Sequence, residues 1–450
     1  MKISFLDDEP EIFPNQYGGK ARTIINLAKE FKKMPEVEEV TILSRSITHK
    51  EKEFYLGGIK FKKLNDYSII RDILDEASKT DILNIHNCSF TTPLLTGLNC
   101  KIIYHLHDVI YATSDAGSHL DKALGNNWSQ IIAPSSFAAN VLKSIAWWSD
   151  LRNKISVIPR GINKDIFYNL EKIKALKLLS PSLAKKIAQS YPVIFFPQRS
   201  SAGKGEEFLV PLSKLLLKEF KAPLILVPGG IKGKSKIIIN THWVKTNDLK
   251  AFYSLSDLSL VLSKLPETFS QSTLESIACE TPVIAFRYGN LNGLSKNLPL
   301  IYIAEPTLDN VYKQIKIALN DPNHKIKSKK SLKVIDKKYN LQIIAKNLLK
   351  IYKSSLKNKE LLISKQVKQI HKQEPRLFLS PNVAIYINKA YVVNEKKEIL
   401  VQLLNNNEQE LLKLIKSPST LDQLYSGFNQ KNNFNKNLQS LINKKIIIRV

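Results

Sequence analysis

Pro266-Glu267-Thr268-Phe269-Ser270-Gln271-Ser272-Thr273-Leu274-Glu275-Ser276-Ile277-Ala278 is the stretch around which the chain is organised. An apolar run, Leu258-Ser259-Leu260-Val261-Leu262, precedes it, and Thr281-Pro282-Val283-Ile284-Ala285-Phe286 follows. Both flanks have the composition of buried strands. Leu274, Ile277 and Ala278 recur at helical spacing, so the pattern predicts strand, polar loop, sheet-facing helix, strand. Glu267 then falls in the loop at a strand's carboxyl end, and Glu275 on the early part of the helix. In open parallel sheets that crevice is where ligands bind. A carboxylate placed there accepts hydrogen bonds from two vicinal hydroxyls, and charge-assisted bonds are the stronger kind. The plainer reading is two solvated acids on a surface helix.

Outward from this stretch, strands and helices alternate. Strand-like runs stand at Lys2–Leu6, Val40–Leu43, Asp81–His86, Lys101–Leu106, Gln130–Ala133 and Ile155–Pro159, then at Pro192–Pro197, Pro223–Val227, Lys236–Ile239 and Asp257–Leu262. That rhythm predicts parallel, doubly wound sheets. Gly18-Gly19 precedes a helix with Ile24, Ile25, Leu27, Ala28 and Phe31 on one face. Glycines allow close backbone approach, and a helix start offers free N–H groups to a phosphate; an ordinary tight turn has the same sequence. Gln198-Arg199-Ser200-Ser201-Ala202-Gly203-Lys204-Gly205 puts two cations after another strand. Such cations suit a diphosphate leaving group, whose negative charge grows as its bond breaks. Tyr104-His105-Leu106-His107-Asp108 ends a further strand. Alternation puts His105 and His107 on one side, so position along the strand separates them.

Glutamate, seven residues and glutamate, with Thr-Pro-Val-Ile-Ala beyond, resembles the signature of the retaining, nucleotide-sugar-dependent glycosyltransferases of family 4. The resemblance implies the GT-B fold: two Rossmann-like domains facing across a cleft. It implies Glu267 and His107 at the donor sugar, in catalytic positions, with His86 the second choice for the histidine. It implies Glu275 on the nucleotide ribose, with Ser270, Gln271, Ser272 and Thr273 beside it. Gly18, Gly19, Arg199 and Lys204 match the family's donor-diphosphate residues in type and order. The implied reaction is transfer of a sugar from a nucleotide-diphosphate sugar to an acceptor with retention, without metal or other cofactor. Glu280 stands where family members often have glycine, so a differently shaped turn is expected there.

The expected domains are 1–165 on the acceptor side, 166–357 on the nucleotide-sugar side with its last helix crossing back, a lysine-rich linker at 358–375, and a small α+β unit at 376–450. The last unit resembles a winged helix, and in its strand-first order the peptide-recognition domains of peptide-modifying enzymes. A peptide or protein partner is the expectation for it; a structural cap or a dimer contact is the alternative. The acceptor is open among peptide, glycan and lipid-linked classes.

The 450 residues carry a net charge of +27, nearly all from lysine. Nucleic acid or an anionic membrane surface would suit that charge. The lysines are scattered, however, and the tail helix near 432–443 lacks arginine, so DNA binding is not expected; peripheral membrane contact stays open. Three cysteines, Cys88, Cys100 and Cys279, argue for a reducing compartment and against a disulfide framework. The first nine residues turn acidic too early for a signal peptide, and no apolar run approaches ~20 residues, so a cytoplasmic protein is expected. A non-catalytic sugar-nucleotide or nucleic-acid-binding protein is the alternative reading.

Overall fold

The computed structural model describes residues 1–7, 18–45, 51–64, 69–86, 100–108, 128–144, 153–198, 203–231, 235–242, 244–357, 377–379, 383–386, 389–393, 399–414, 433–444 and 447–449. The first sheet contains β1 (Lys2–Asp7), β2 (Glu39–Ser44), β3 (Glu53–Leu56), β4 (Ile59–Lys63), β5 (Ile82–His86), β6 (Lys101–His105), β7 (Trp128–Ala133) and β8 (Ile155–Val157). Their order is β3-β4-β2-β1-β5-β6-β7-β8, parallel except for the β3–β4 hairpin. The second contains β9 (Val193–Phe195), β10 (Leu224–Val227), β11 (Ile238–Asn240), β12 (Leu258–Val261), β13 (Val283–Phe286) and β14 (Ile301–Ala304). It is wholly parallel, in the order β11-β10-β9-β12-β13-β14. This is the GT-B architecture. The β3–β4 hairpin and β14 are elements the sequence pattern did not mark. β3 is largely solvent-exposed and so lacks an apolar face to read.

Strand order reverses between β1 and β5 in the first sheet and between β9 and β12 in the second. Those reversals open the crevices in which doubly wound sheets take ligands. Gly18 and Gly19 follow β1, and His86 ends β5. Lys204 follows β9, and Glu267 follows β12. The residues singled out from sequence thus border the two crevices.

Both domains have layered apolar cores. The helix Gly19–Lys32 buries Ala21, Ile24, Leu27, Ala28 and Phe31 against Phe5 and Ile42. The helix Leu341–Lys357 packs on that same cluster through Ile344, Leu348 and Tyr352, so the chain returns to the first domain. The crossing segments touch: Ile162 N–H donates to Tyr339 O at 2.7 Å, and Leu341 N–H to Ile162 O at 3.1 Å. A Cβ on Gly161 would stand 2.6 Å from Leu341 Cα, so only glycine allows this approach.

In the last unit, β15 (Leu377–Leu379) pairs antiparallel with β19 (Ile447–Arg449), while β16 (Val383–Tyr386), β17 (Lys389–Val393) and β18 (Ile399–Leu403) form an antiparallel sheet. Helices lie at Asn406–Leu414 and Phe434–Asn443. The sequence pattern predicts three short strands at 376–393, then three helices, the second opening at the N-cap candidates Ser419 or Thr420, and a closing strand. Strand β18 is additional to these, and the helix from Ser419 or Thr420 lies outside the described residues. No helix among the described residues is long and apolar enough to cross a membrane.

Candidate functional site

The second-domain wall is built from two turns. Gly203 and Gly205 both take left-handed backbone, with φ of 82° and 85°. A Cβ on Gly205 would meet Leu262 O at 2.3 Å, so the turn lies directly against the end of β12. Lys264 N–H donates to Gly203 O at 2.7 Å and fixes the two loops together. The outcome is an ion pair: Lys204 Nζ stands 2.6 Å from Glu267 Oε1. Glu267 is itself held from behind, since Asn290 N–H donates to its carbonyl at 2.7 Å across a left-handed Gly289. Arg199 lies outside the described residues.

The glutamate helix runs Gln271–Ala278, so Glu275 is its fifth residue. Ser270 precedes it in left-handed backbone, φ 69°, and its Oγ lies 2.8 Å from the Thr273 hydroxyl. Such a conformation is uncommon for a non-glycine residue, and strain of this kind concentrates at functional sites. Ser270 and Thr273 are buried; Gln271 and Ser272 are partly exposed. Gln271 Nε2 donates to Gly161 O at 3.4 Å, in the crossing segment. Glu275 is 1% exposed, far from the solvated acid of the plainer reading. Its Oε2 accepts the Tyr253 hydroxyl at 3.2 Å, and its Oε1 lies 2.9 Å from Arg22 Nη2. Burial raises the Glu275 carboxyl above its ordinary range, and Arg22 and Tyr253 oppose that rise. Burial, then the neighbouring Glu275 charge, pushes the Tyr253 phenol well up.

Arg22 belongs to the other domain. It lies one turn into the helix that Gly18 caps with extended backbone. Gly19 faces Gln271, with 3.8 Å available to an added Cβ. In the same region Lys20 Nζ pairs at 2.9 Å with the fully buried Asp7.

His107 stands two residues beyond β6. Its backbone carbonyl accepts the Thr268 hydroxyl at 2.8 Å, and Arg160 Nη2 at 3.4 Å. Ser135 Oγ donates to Thr268 O at 2.7 Å. Thr268, next to Glu267, is therefore clamped between His107 and Ser135. The His107 ring Nε2 lies 2.8 Å from His86 Nδ1, and His86 stacks on His105 with ring centroids 4.4 Å apart. His105 Nε2 lies 3.2 Å from Asn84 Oδ1. Burial depresses all three imidazoles, with the nearby Arg160 adding to the effect; His105 falls to about 3. Burial also draws the Arg160 guanidinium down to about 10, against the pull of Glu267 and Asp108. The cavity that His107 shares with Thr23, Arg160 and Gly161 measures about 20 Å³, room for roughly one water. It is walled by the first domain and the returning helix Leu341–Lys357; contact between the domains comes instead from Thr268 on His107 and Ser135 and from Arg22 on Glu275.

Glu280 takes φ 62°, so the turn keeps a left-handed shape without glycine, and its carboxylate accepts Ser328 Oγ at 2.7 Å. Of the residues singled out from the sequence, Lys204 pairs with Glu267, Glu275 lies against Arg22 in the helix that Gly18 and Gly19 open, and His107 meets Thr268 beside Glu267. The sequence reading missed Arg22, Arg160, Tyr253 and Thr268. Arg22 had one available signal: it follows Gly18-Gly19 by a single helical turn.

Residues 17–166 match the family model Glycosyltransferase Family 4, and residues 185–339 match Glycosyl transferases group 1. An uncharacterized glycosyltransferase of Methanocaldococcus jannaschii is 24% identical over 310 residues, which cover 63% of this chain and 79% of that protein. Among solved structures, sucrose-phosphate synthase from Thermosynechococcus elongatus is similar with a TM-score of 0.64 at 17% identity, covering 78% of this chain and 98% of that one. Anabaena HepE, solved in complex with UDP and glucose, is similar with a TM-score of 0.63 at 17% identity, covering 79% and 100%.

Proposed function

We propose that this chain, a family-4-like glycosyltransferase of GT-B fold, moves a sugar from a nucleotide-diphosphate donor to an acceptor with retention and without a metal ion. The observation that carries the reading is the Lys204–Glu267 pair at 2.6 Å, set where strand order reverses between β9 and β12. A cation and a carboxylate so placed meet the two charged demands of the reaction. Lys204, with Arg199, faces the diphosphate as its negative charge grows in the transition state. Glu267 accepts hydroxyls of the sugar being transferred. Glu275 is the ribose ligand in this reading, and the ribose reaches it only when Arg22 withdraws. Donor entry is accordingly coupled to parting of the Arg22–Glu275 contact between the two domains. Positive side chains in the cleft take the part that a divalent cation plays elsewhere. Residues 376–450 form a winged-helix-like unit that recruits a peptide or protein acceptor.

A thermal-shift screen against nucleoside diphosphates and their sugars tests the donor reading. A ligand at 100 times its Kd stabilises the folded state by about 2.7 kcal/mol. We expect one nucleotide series to raise Tm and its sugar to be released on incubation. No shift from any of them, with no sugar released, removes the reading. The anomeric configuration of the product, followed by NMR, tests retention. EDTA is expected to leave turnover unchanged; loss restored by Mg²⁺ contradicts the metal-free mechanism.

A further inference from the structure

The loop that carries Glu267 has three successive carbonyls tied in two directions. Asn290 N–H donates to Glu267 O at 2.7 Å, and Asn290 Nδ2 donates to Phe269 O at 3.5 Å. Both ties stay inside the second domain. The carbonyl between them, Thr268 O, accepts Ser135 Oγ at 2.7 Å, from the first domain. The Thr268 hydroxyl reaches the same way and donates to His107 O at 2.8 Å. Ser135 and Thr268 are both buried, so these bonds are sheltered from competing water.

The Ser135 hydroxyl has two tasks. It stands just before the helix Ser136–Ser144, and its Oγ accepts the Ala138 N–H at 3.1 Å, an N-cap bond. Capping uses a lone pair; the one proton of the hydroxyl remains, and it goes to Thr268 O. His107 O is also filled, since it accepts Arg160 Nη2 at 3.4 Å beside the Thr268 hydroxyl. Glu267 needs neither cross-domain bond to keep its own conformation. Asn290 holds its carbonyl and Lys204 its carboxylate, both from the second domain. What the two bonds add is register: they fix where the Lys204–Glu267 pair stands relative to the first domain.

We propose that Ser135 and Thr268 are positioning residues that set the register of the Glu267 loop against the first domain. Glu267 is one residue from both bonds, so a slip between the domains carries the carboxylate with it. In the sugar-transfer reading Glu267 holds the sugar and the acceptor comes from the first-domain side. Reacting atoms must then meet across this contact, and a misplacement of about 1 Å can cost ~10²-fold in rate. The catalytic consequence rests on that reading; the register itself does not.

Four variants of the full chain test it. Thr268→Val keeps the shape and loses the hydroxyl, while Thr268→Ser keeps the hydroxyl. Ser135→Gly loses the donated proton with little harm to the cap, whereas Ser135→Ala loses both. Thr268→Val and Ser135→Gly are each expected to lower kcat about 10-fold. Donor KM should change less than about 2-fold, because Lys204, Glu267 and Glu275 all stay on the second domain. Thr268→Ser is expected within about 3-fold of the unsubstituted kcat. Hydrogen exchange of the segment 266–278, read by mass spectrometry, follows the contact without turnover. It is expected to quicken in Thr268→Val and Ser135→Gly and not in Thr268→Ser. If Ser135 is only a cap, Ser135→Gly leaves kcat and the segment 266–278 unchanged, and Ser135→Ala quickens exchange in Ser136–Ser144 alone. That result overturns the proposal, as does an unchanged kcat in Thr268→Val or a loss confined to donor KM. If the unsubstituted chain turns over no donor, the sugar-transfer reading fails, and exchange of 266–278 alone decides the register. Should Ser135→Gly not fold, the Thr268 pair decides.

Discussion

Lys204 and the two glutamates meet different surroundings although the loops that carry them adjoin. Glu267 remains partly exposed on Lys204, while Glu275 is sealed between Tyr253 and Arg22. The spacing of the glutamates was plain in the sequence because both lie on one loop and helix. The partner of Glu275 was not, since Arg22 comes from 253 residues earlier and only folding brings it near. Lys204→Ala is expected to lower kcat by about 10²-fold, because its charge matters most when the leaving group is most negative. Normal turnover in that variant would remove Lys204 from the site. Glu267→Gln should lower kcat, and Glu275→Gln should chiefly raise donor KM. Glu275→Gln carries a further cost that Glu267→Gln does not: it breaks a buried ion pair and should lower Tm as well. Identical kinetic profiles and melting temperatures for the two variants would contradict this division of roles.

The elements explain how such residues are held in place. Strand ends and tight turns do most of it, and these were legible where apolar runs met glycine. The β3–β4 hairpin shows the limit: Gly57-Gly58 marks its turn, yet β3 carries no buried face to complete the pattern. Gly289 is the position where a turn most directly serves the site. A Cβ there would stand 2.4 Å from Glu267 O, in backbone of φ 63°. Gly289→Ala should destabilise the chain by ~1–3 kcal/mol and reduce kcat, since the Glu267 loop must shift. An unchanged Tm and kcat would show the loop to be held by other means. The strand-end histidines add a pH dependence. Their folded pKa values lie below the ordinary ~6.5, so between the two values the unfolded chain binds more protons. Stability is then full above about pH 6.5 and falls as the pH drops toward the depressed folded values, by up to ~1.4 kcal/mol per pH unit for each histidine. Melting curves from pH 7.5 to 5 should show this fall, and His105→Asn should flatten it. A Tm independent of pH over that range would mean that the rings already charge in the folded protein.

At the scale of the whole molecule, two Rossmann-like domains close on each other, and the helix Leu341–Lys357 belongs by packing to the first domain although it follows the second. The sequence reading expects a last helix crossing back; the surface it packs on, built from residues near the start of the chain, was not legible. The tail poses the remaining question. Its helices are tied to each other. Asn405 Oδ1 accepts the Glu408 N–H at 2.8 Å while Glu408 Oε2 accepts the Asn405 N–H at 2.9 Å, a reciprocal cap on the helix Asn406–Leu414. The fully buried Glu408 also pairs with Lys444 at 2.7 Å and accepts Ser440 Oγ at 2.7 Å, both in or beside the helix Phe434–Asn443. Strand β19 closes on β15, so the first and last described segments of the tail meet. A unit closed by its own bonds is expected to fold independently of the body. A chain ending at Gln373 should therefore keep the Tm and the donor affinity of the transferase and still act on a small surrogate acceptor. If the tail recruits a peptide or protein acceptor, that shortened chain loses affinity for it, and residues 374–450 alone bind it. If instead the shortened chain precipitates or loses donor binding, the tail is part of the transferase fold, and recruitment is withdrawn.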